Sequence, residues 1–137
     1  MNIVFTKKKQ LTMNVPANLK FTKDHEWIKI EGSEALIGIT DYAQTELGEI
    51  VFVELPAIGD SVAIEKTFGT VEAVKAVSDL FMPVSGEVLD INPLLEDKPE
   101  LINEDPYGEG WMIRIKLNNP AEVDGLLSAE AYAALIQ

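Results

Sequence analysis

Cysteine is absent from the sequence, and histidine occurs only once, as His25. Without thiols the fold cannot depend on disulfide bonds, and no cysteine can serve as nucleophile, metal ligand or redox centre. A single histidine argues against a histidine-based metal site and against an acid–base triad. Any sulfur chemistry of this protein therefore requires sulfur that is attached from outside.

Long apolar runs and excess positive charge are also missing. No apolar stretch approaches the ~20 residues that a membrane span requires, so we expect a soluble chain. The formal net charge at pH 7 is −12. Nucleic acids and anionic membranes attract basic surfaces, and this charge argues against both as partners. An acidic surface suits basic patches on protein partners instead.

The chain has 137 residues, of which 47% are hydrophobic. This length and composition suit one domain with a hydrophobic core. Residues 1–23 contain five lysines and no acidic residue. In a secretory signal a long apolar segment follows the basic residues, and no such segment follows the lysines at 7–9. Met13 is an alternative first residue of the protein. We predict that residues 1–14 form a flexible N-terminal extension and that 15–137 form a single domain.

Short apolar stretches follow one another from Lys20 onward, separated by turn signals about every ten residues. This spacing is typical of a β-sandwich or a β-barrel. Gly32 and Ser33 form a two-residue hairpin signal in which glycine comes first. The predicted strands are His25–Glu31, Ala35–Ile39, Ile50–Leu55, Phe68–Val74, Val77–Met82, Glu87–Ile91 and Trp111–Leu117.

Helix signals occur once inside this pattern and again at the C-terminus. Thr40 is a predicted N-cap, and Gly48 can end the helix with a positive φ. Near the C-terminus, Asn119 precedes a proline at the first helical position, and Ser128 is a second N-cap. The last helix is expected to pack an apolar stripe on the sheet, made of Tyr132, Leu135 and Ile136.

Lys75 is the only cation between Phe68 and Val88, and small or apolar residues flank it. If the strands on either side form a hairpin, this lysine lies at its tip. The turn lacks the Gly, Asn or Asp that tight hairpins favour, and periodicity also allows one long strand through Lys75. From the pattern alone, the lysine is most simply a solvated strand end.

From about residue 19 onward the chain resembles the H proteins of the glycine cleavage system. The most specific block is Glu72-Ala73-Val74-Lys75-Ala76, which is similar to the lipoyl-attachment motif Glu-Ser-Val-Lys-Ala of that family. Alanine replaces the usual serine, a small change that leaves the lysine in place. Four further blocks resemble the family in the same order, namely Lys23–Trp27, Gly38–Gln44, Leu47–Pro56 and Asn103–Trp111.

The resemblance implies an all-β fold, a barrel-sandwich hybrid of the lipoyl/biotinyl-carrier type, with a short internal helix and C-terminal helices. It implies lipoate covalently attached to Lys75, by a lipoate ligase or lipoyl transferase that recognises Glu72 and Gly86. It also implies a cleft that shelters the loaded arm, with Glu26 and Asp79 beside it. No catalytic residue and no metal site are implied.

Each of these residues also has an ordinary structural explanation. Glu72 and Asp79 can be solvated strand residues, and Glu26 can lie on the surface of its strand. Gly86 can occupy a turn that needs its backbone freedom. His25 is expected to be a structural histidine beside Trp27.

The implied function is that of a carrier and not of an enzyme. The carrier takes an aminomethyl group from a pyridoxal-phosphate glycine decarboxylase to an aminomethyltransferase that uses tetrahydrofolate. It then presents its dithiol to an FAD-dependent dihydrolipoamide dehydrogenase. The tether supplies a high effective concentration at each partner. The expected location is the bacterial cytoplasm, or the mitochondrial matrix in a eukaryote.

Three alternatives remain open at this point. A biotinyl carrier domain has a similar hairpin, but methionine typically stands on both sides of its lysine, whereas Val74 and Ala76 stand here. An H-like protein that relays lipoate to other enzymes is a second alternative. An unmodified β-sandwich or a small enzyme is the third. Against an enzyme stand the missing cysteines, the single histidine and the lack of a phosphate-binding glycine loop.

Overall fold

The computed structural model describes residues 13–137, which form two antiparallel sheets. The larger sheet has six strands in the order β1-β2-β3-β9-β8-β5, and the smaller has three in the order β4-β6-β7. The strands are β1 Lys20–Phe21, β2 Glu26–Glu31, β3 Glu34–Ile39, β4 Ile50–Glu54, β5 Ser61–Val62, β6 Thr67–Ala73, β7 Val77–Phe81, β8 Gly86–Ile91 and β9 Ile113–Leu117.

Among residues 13–137, three short α-helices and two 3₁₀ segments connect and close the sheets. The α-helices are α1 Asp41–Leu47, α2 Leu101–Glu104 and α3 Ala129–Leu135, and the 3₁₀ segments are Pro93–Leu95 and Pro120–Gly125. Within residues 13–137, no helix combines the length and the apolar character needed to cross a membrane.

Local sequence signals explain how several of these elements begin and end. Gly32 has a φ of 67° in the turn between β2 and β3, a value that glycine adopts without strain. The Thr40 hydroxyl accepts a hydrogen bond from the backbone N–H of Ala43 and caps α1. Gly48 ends the helix with a φ of 84°. Ser128 caps α3 in the same way as Thr40 caps α1.

The main core lies between the two sheets. Alternate residues of β3, including Ile37, are buried against residues of the smaller sheet such as Val71 and Leu80. A second cluster lies on the other side of the larger sheet, where Trp27 and Tyr132 are buried with Phe21. Burying aliphatic and aromatic side chains on this scale is the main source of stability for such a sandwich.

The predicted fold class, a strand-rich two-sheet architecture with minor helices, is confirmed. All seven predicted strands are present, with bounds shifted by one or two residues. The short strands β1 and β5 and helix α2 were not predicted, and the segment after Asn119 is a 3₁₀ helix. In the last helix Tyr132 is buried as expected, but Leu135 is 51% exposed, so the predicted stripe is wrong at that residue.

The predicted N-terminal extension, residues 1–14, falls almost entirely outside the described residues. Asn14, at its end, is held by two hydrogen bonds. Its backbone N–H donates to Asp41 at 3.0 Å, and its carbonyl accepts from the Tyr107 hydroxyl at 2.6 Å. The division into an extension and a domain that begins at residue 15 stays a prediction.

Candidate functional site

Lys75 lies in the turn between β6 and β7, which pair as an antiparallel hairpin. Of the two structures that the sequence pattern allowed, a hairpin and one long strand, the hairpin is therefore the one that forms. Its last rungs join Glu72 to Val77, and the Ala73 N–H donates to the Ala76 carbonyl at 2.7 Å. Lys75 is exposed, and within residues 13–137 its amine forms no ion pair.

A third segment supports this turn, which explains how it forms without glycine or asparagine. The N–H of Val74 donates to the carbonyl of Glu49 at 3.0 Å, outside the hairpin. The stem of Lys75 lies over Gly48, where an added Cβ would be 3.3 Å from Lys75 Cε. Gly48 and Glu49, in the loop that follows α1, therefore support the lysine from below, and we call these two residues the platform.

Asn103 holds that platform in place from α2. Its Oδ1 accepts from the Ile50 N–H at 2.9 Å, and its Nδ2 donates to the Gly48 carbonyl at 2.8 Å and to Gln44 Oε1 at 2.9 Å. The Asn103 side chain thus links the end of α1, the loop that follows it and the start of β4. Sequence reasoning placed Asn103 in a block that resembles the family but assigned it no role.

Glu72 lies on the outer face of the smaller sheet, close to the lysine. In the register of the three strands it pairs with Phe52 on one side and with Val77 on the other. All three side chains are exposed. The interpretation of Glu72 as a solvated strand residue therefore describes its position correctly, and its recognition by a ligase stays a prediction.

Gly86 lies elsewhere, at the start of β8 in the larger sheet, where it is buried. An added Cβ would be 2.7 Å from Ile115 Cδ1 and 2.8 Å from the Lys116 carbonyl oxygen. Its φ is not in the positive range. The explanation of Gly86 by backbone freedom in a turn is therefore wrong, because close packing against β9 requires glycine here.

Glu26 is 2% exposed, so the view of it as a surface strand residue is wrong. Its Oε1 accepts from the Thr22 hydroxyl at 2.7 Å, and its Oε2 accepts from the Phe81 N–H at 3.2 Å. Burial raises the pKa of this carboxyl to about 7, although these two hydrogen bonds act in the opposite direction. A carboxyl with such a pKa is poised to change charge near neutral pH.

A cleft of about 210 Å³ opens beside Glu26. Its walls combine polar groups such as Thr22 with apolar side chains such as Met82 and Leu127. Asp79 does not line this cleft. It is exposed on the outer face of the smaller sheet, opposite Thr70 and two residues before Phe81 on β7. The structure thus brings Glu26, but not Asp79, to the cleft.

His25 is half-buried and has a structural environment. Its Nδ1 is 2.8 Å from the Tyr132 hydroxyl, which is 2.7 Å from the Thr40 hydroxyl. The ring also packs against Tyr42 at 4.8 Å between centroids. Burial lowers the pKa of His25. This network joins α3 to the start of α1 and explains the histidine without a catalytic role.

The comparisons with known proteins agree with the sequence motifs. The family model described as glycine cleavage H-protein matches residues 19–137. The glycine cleavage system H protein of Bacteroides fragilis is 56% identical over 124 residues, which are 90% of this chain and 98% of the relative. That of Symbiobacterium thermophilum is 56% identical over 121 residues, 88% of this chain and 94% of the relative.

A solved structure gives the same result in three dimensions. The crystal structure of a glycine cleavage system H protein from Mycobacterium marinum superposes with a TM-score of 0.81 at 39% identity. The match covers 88% of this chain and 97% of that one. On sequence and on fold together, the chain belongs to the glycine cleavage H-protein family.

Proposed function

We propose that Lys75 is the residue to which lipoate is attached and that the chain acts without catalysis of its own. As a member of the H-protein family, the chain is a lipoyl carrier of the glycine cleavage system. The exposed amine of Lys75, at the end of a hairpin and without an ion pair among residues 13–137, is the observation that carries the assignment.

The residues around Lys75 suit attachment of an acyl group. The backbone of Gly48 and Glu49 supports the turn from one side, and the stem of the Lys75 side chain lies over Gly48. When bound, lipoate supplies a cyclic disulfide that accepts the aminomethyl group and can be regenerated from the dithiol. The hairpin contributes position and reach, which raise the effective concentration of the attached group at each partner.

We further propose four kinds of partner for this carrier. They are a lipoate ligase or lipoyl transferase, a pyridoxal-phosphate glycine decarboxylase, a tetrahydrofolate-dependent aminomethyltransferase and an FAD-dependent dihydrolipoamide dehydrogenase. The net charge of −12 favours association with basic surfaces on such enzymes. Because the relatives compared above are bacterial, the proposed location is the bacterial cytoplasm.

The cleft beside Glu26 is proposed to shelter the loaded arm. Phe81, whose N–H donates to Glu26, is four residue steps beyond Val77. Glu26 therefore lies about 13 Å along β7, a distance comparable to an extended lipoyl-lysine arm. An ionised Glu26 can accept a charge-assisted hydrogen bond from a cationic amine. The apolar walls at Met82 and Leu127 limit the access of water to it. Asp79 is proposed to flank the path along β7 from outside the cleft.

Loss of carrier function in a lysine variant tests this proposal. Lys75→Arg keeps the charge but replaces the amine that forms the amide. We expect it to abolish exchange of labelled bicarbonate with the carboxyl group of glycine when it is added to glycine decarboxylase. Lys66→Arg, at a second exposed lysine, is the matched control and should retain full exchange. Normal exchange with Lys75→Arg would refute the assignment.

The sheltering role of Glu26 needs a separate readout. Glu26→Ala should shorten the lifetime of the bound aminomethyl group, measured by release of formaldehyde and ammonia from the loaded carrier. Asp79→Asn, outside the cleft, should have a smaller effect. An unchanged lifetime in Glu26→Ala would refute the role of the cleft.

A further inference from the structure

The loop between β1 and β2 is tied to the side of the cleft by its own backbone. The Thr22 N–H donates to the Glu26 carbonyl at 3.0 Å, and the His25 N–H donates to the Thr22 carbonyl at 3.1 Å. His25 has a φ of 68°, an uncommon value for a residue with a side chain. The loop is therefore a closed turn that brings the side chains of Thr22 and Glu26 together.

The hydroxyl of Thr22 uses its full hydrogen-bonding capacity. It accepts from the backbone N–H groups of Asp24 and Glu26, both at 3.2 Å. A hydroxyl has two acceptor lone pairs and one proton. Because both lone pairs are occupied, only the proton remains, and it is donated to Glu26 Oε1 at 2.7 Å. The backbone therefore fixes the direction in which Thr22 donates.

Glu26 meets only donors through its two oxygens. Within residues 13–137 the partner of Oε1 is the Thr22 hydroxyl, and the partner of Oε2 is the Phe81 N–H. The largest effect on the pKa of Glu26 is burial, which raises it to about 7. The bond from Thr22 is the strongest influence in the opposite direction, because it stabilises the ionised form.

Other charged or titratable groups surround Glu26 without bonding to it. Within its own loop, Asp24 raises the pKa of Glu26 and Lys23 lowers it, both less than Thr22 does. The groups that line the cleft or approach Glu26 from other elements are Glu65, Glu122 and Tyr132. Within residues 13–137, Thr22 is the only side chain that hydrogen-bonds to the Glu26 carboxylate.

We infer that Thr22 is a positioning residue for the loaded arm. Its hydroxyl, fixed by two backbone N–H groups, holds the Glu26 carboxylate in the orientation in which it accepts the cationic aminomethyl group. Both residues line the cleft, so the fixed carboxylate is at its wall. This inference rests on the proposed function, since it assumes that the loaded arm enters the cleft beside Glu26.

The hydroxyl matters because the amine needs an ionised acceptor with fixed lone pairs. Loss of one hydrogen bond to a charged group should raise the pKa of Glu26 by about one unit or more. With a pKa of about 7, half of the Glu26 carboxyls are ionised at pH 7. A rise of one unit leaves about one tenth ionised, so the hold on the amine weakens about fivefold.

Titration of the Glu26 carboxyl carbon by NMR, in the chain without an attached group, tests the first step. Thr22→Val keeps the shape but removes the hydroxyl, and it should raise the midpoint by about one pH unit or more. Thr22→Ser keeps the hydroxyl and should leave the midpoint unchanged. The matched control is Thr45→Val on α1, outside the cleft, where the lost hydroxyl donates to the Asp41 carbonyl at 2.9 Å. An unchanged midpoint in Thr22→Val would overturn the inference.

The lifetime of the bound aminomethyl group tests the second step. At pH 7, Thr22→Val should shorten it about fivefold, and Thr22→Ser should restore it. Relative to the unaltered chain, the defect should disappear by about pH 9, where Glu26 is ionised in both proteins. In the Glu26→Gln background Thr22→Val should have no further effect. An equal effect in that background, or a defect that is independent of pH, would show that Thr22 acts on the fold and not through Glu26.

Two variants separate this inference from the proposed function. If Glu26→Ala leaves the lifetime unchanged, the sheltering role of the cleft fails, and the inference fails with it. If Glu26→Ala shortens the lifetime and Thr22→Val does not, only the inference is overturned. If Thr22→Val does not fold, Thr22→Ser decides. A lifetime and a midpoint equal to those of the unaltered chain support the inference, and a lifetime as short as that of Glu26→Ala overturns it.

Discussion

Glu26 makes the stability of the fold depend on pH, and one substitution at this residue can isolate its contribution. Its carboxyl is 2% exposed, and burial raises its pKa from the ordinary 4.5 to about 7. Between these two values the folded chain binds a proton that the unfolded chain has released. The free energy of unfolding must therefore fall as the pH rises through this window, and it should level off above pH 7.

The size of this change in the free energy of unfolding follows from the difference between the two pKa values. Each pH unit between them corresponds to about 1.4 kcal/mol, so the contribution of Glu26 amounts to about 3 kcal/mol. This is a large part of the ~5–15 kcal/mol that typically separates folded from unfolded domains. His25, whose pKa is lowered by burial, acts in the opposite direction. Its contribution is present above its ordinary pKa of 6.5 and is lost as the pH falls.

A difference measurement removes the contribution of His25 and of the exposed carboxyl groups. Urea unfolding of the unaltered chain and of Glu26→Gln is compared from about pH 5 to about pH 8. Glutamine keeps the shape and stays neutral, and its carbonyl can accept from the Phe81 N–H. We expect Glu26→Gln to gain about 3 kcal/mol relative to the unaltered chain across this range. Parallel stability curves for the two proteins would refute the argument.

Two further substitutions test close packing, one beneath Lys75 and one against Trp27 in the second hydrophobic cluster. Asn103→Ala removes three hydrogen bonds at and beside the platform beneath Lys75 and should cost about 2–4 kcal/mol in urea unfolding. The exposed Glu104→Ala on the same helix is its control and should be nearly neutral. Gly38→Ala would place a Cβ 2.7 Å from the indole of Trp27 and should cost about 2 kcal/mol or more in the same assay. Gly125→Ala, with no heavy atom within 4 Å of the added Cβ, should leave the stability unchanged. An equal loss of stability in Gly38→Ala and Gly125→Ala would contradict the packing argument.

Features controlled by neighbouring residues could be predicted from the sequence. The caps at Thr40 and Ser128 and the glycine end of α1 at Gly48 depend on contacts within a few residues, and all three are confirmed. The strands were predicted for the same reason, since alternation and turn residues are local signals. The hairpin at Lys75 was less certain, because its turn is stabilised by the Glu49 carbonyl from another segment.

Features that depend on distant segments could not be predicted. Asn103 bonds to groups more than fifty residues away in the chain. Phe52 is exposed because the pairing of β4 with β6 is irregular between Ile50 and Phe52, and the alternation of residues in β4 alone does not predict this irregularity. Gly86 is needed because β9 packs against it, and the strand that crowds it lies about thirty residues later. Glu26 is buried by an arrangement of loops that no local pattern encodes, so its raised pKa had no signal in the sequence.

The most direct test of the central claim is the mass of the intact chain after expression with lipoate and a lipoate ligase. The account predicts the mass increase of one lipoyl amide, located by peptide mapping to Lys75 and absent from Lys75→Arg. Expression with biotin and a biotin ligase should leave the mass unchanged. An unmodified chain in the presence of lipoate, a biotin adduct, or a lipoyl group on another lysine would contradict the account.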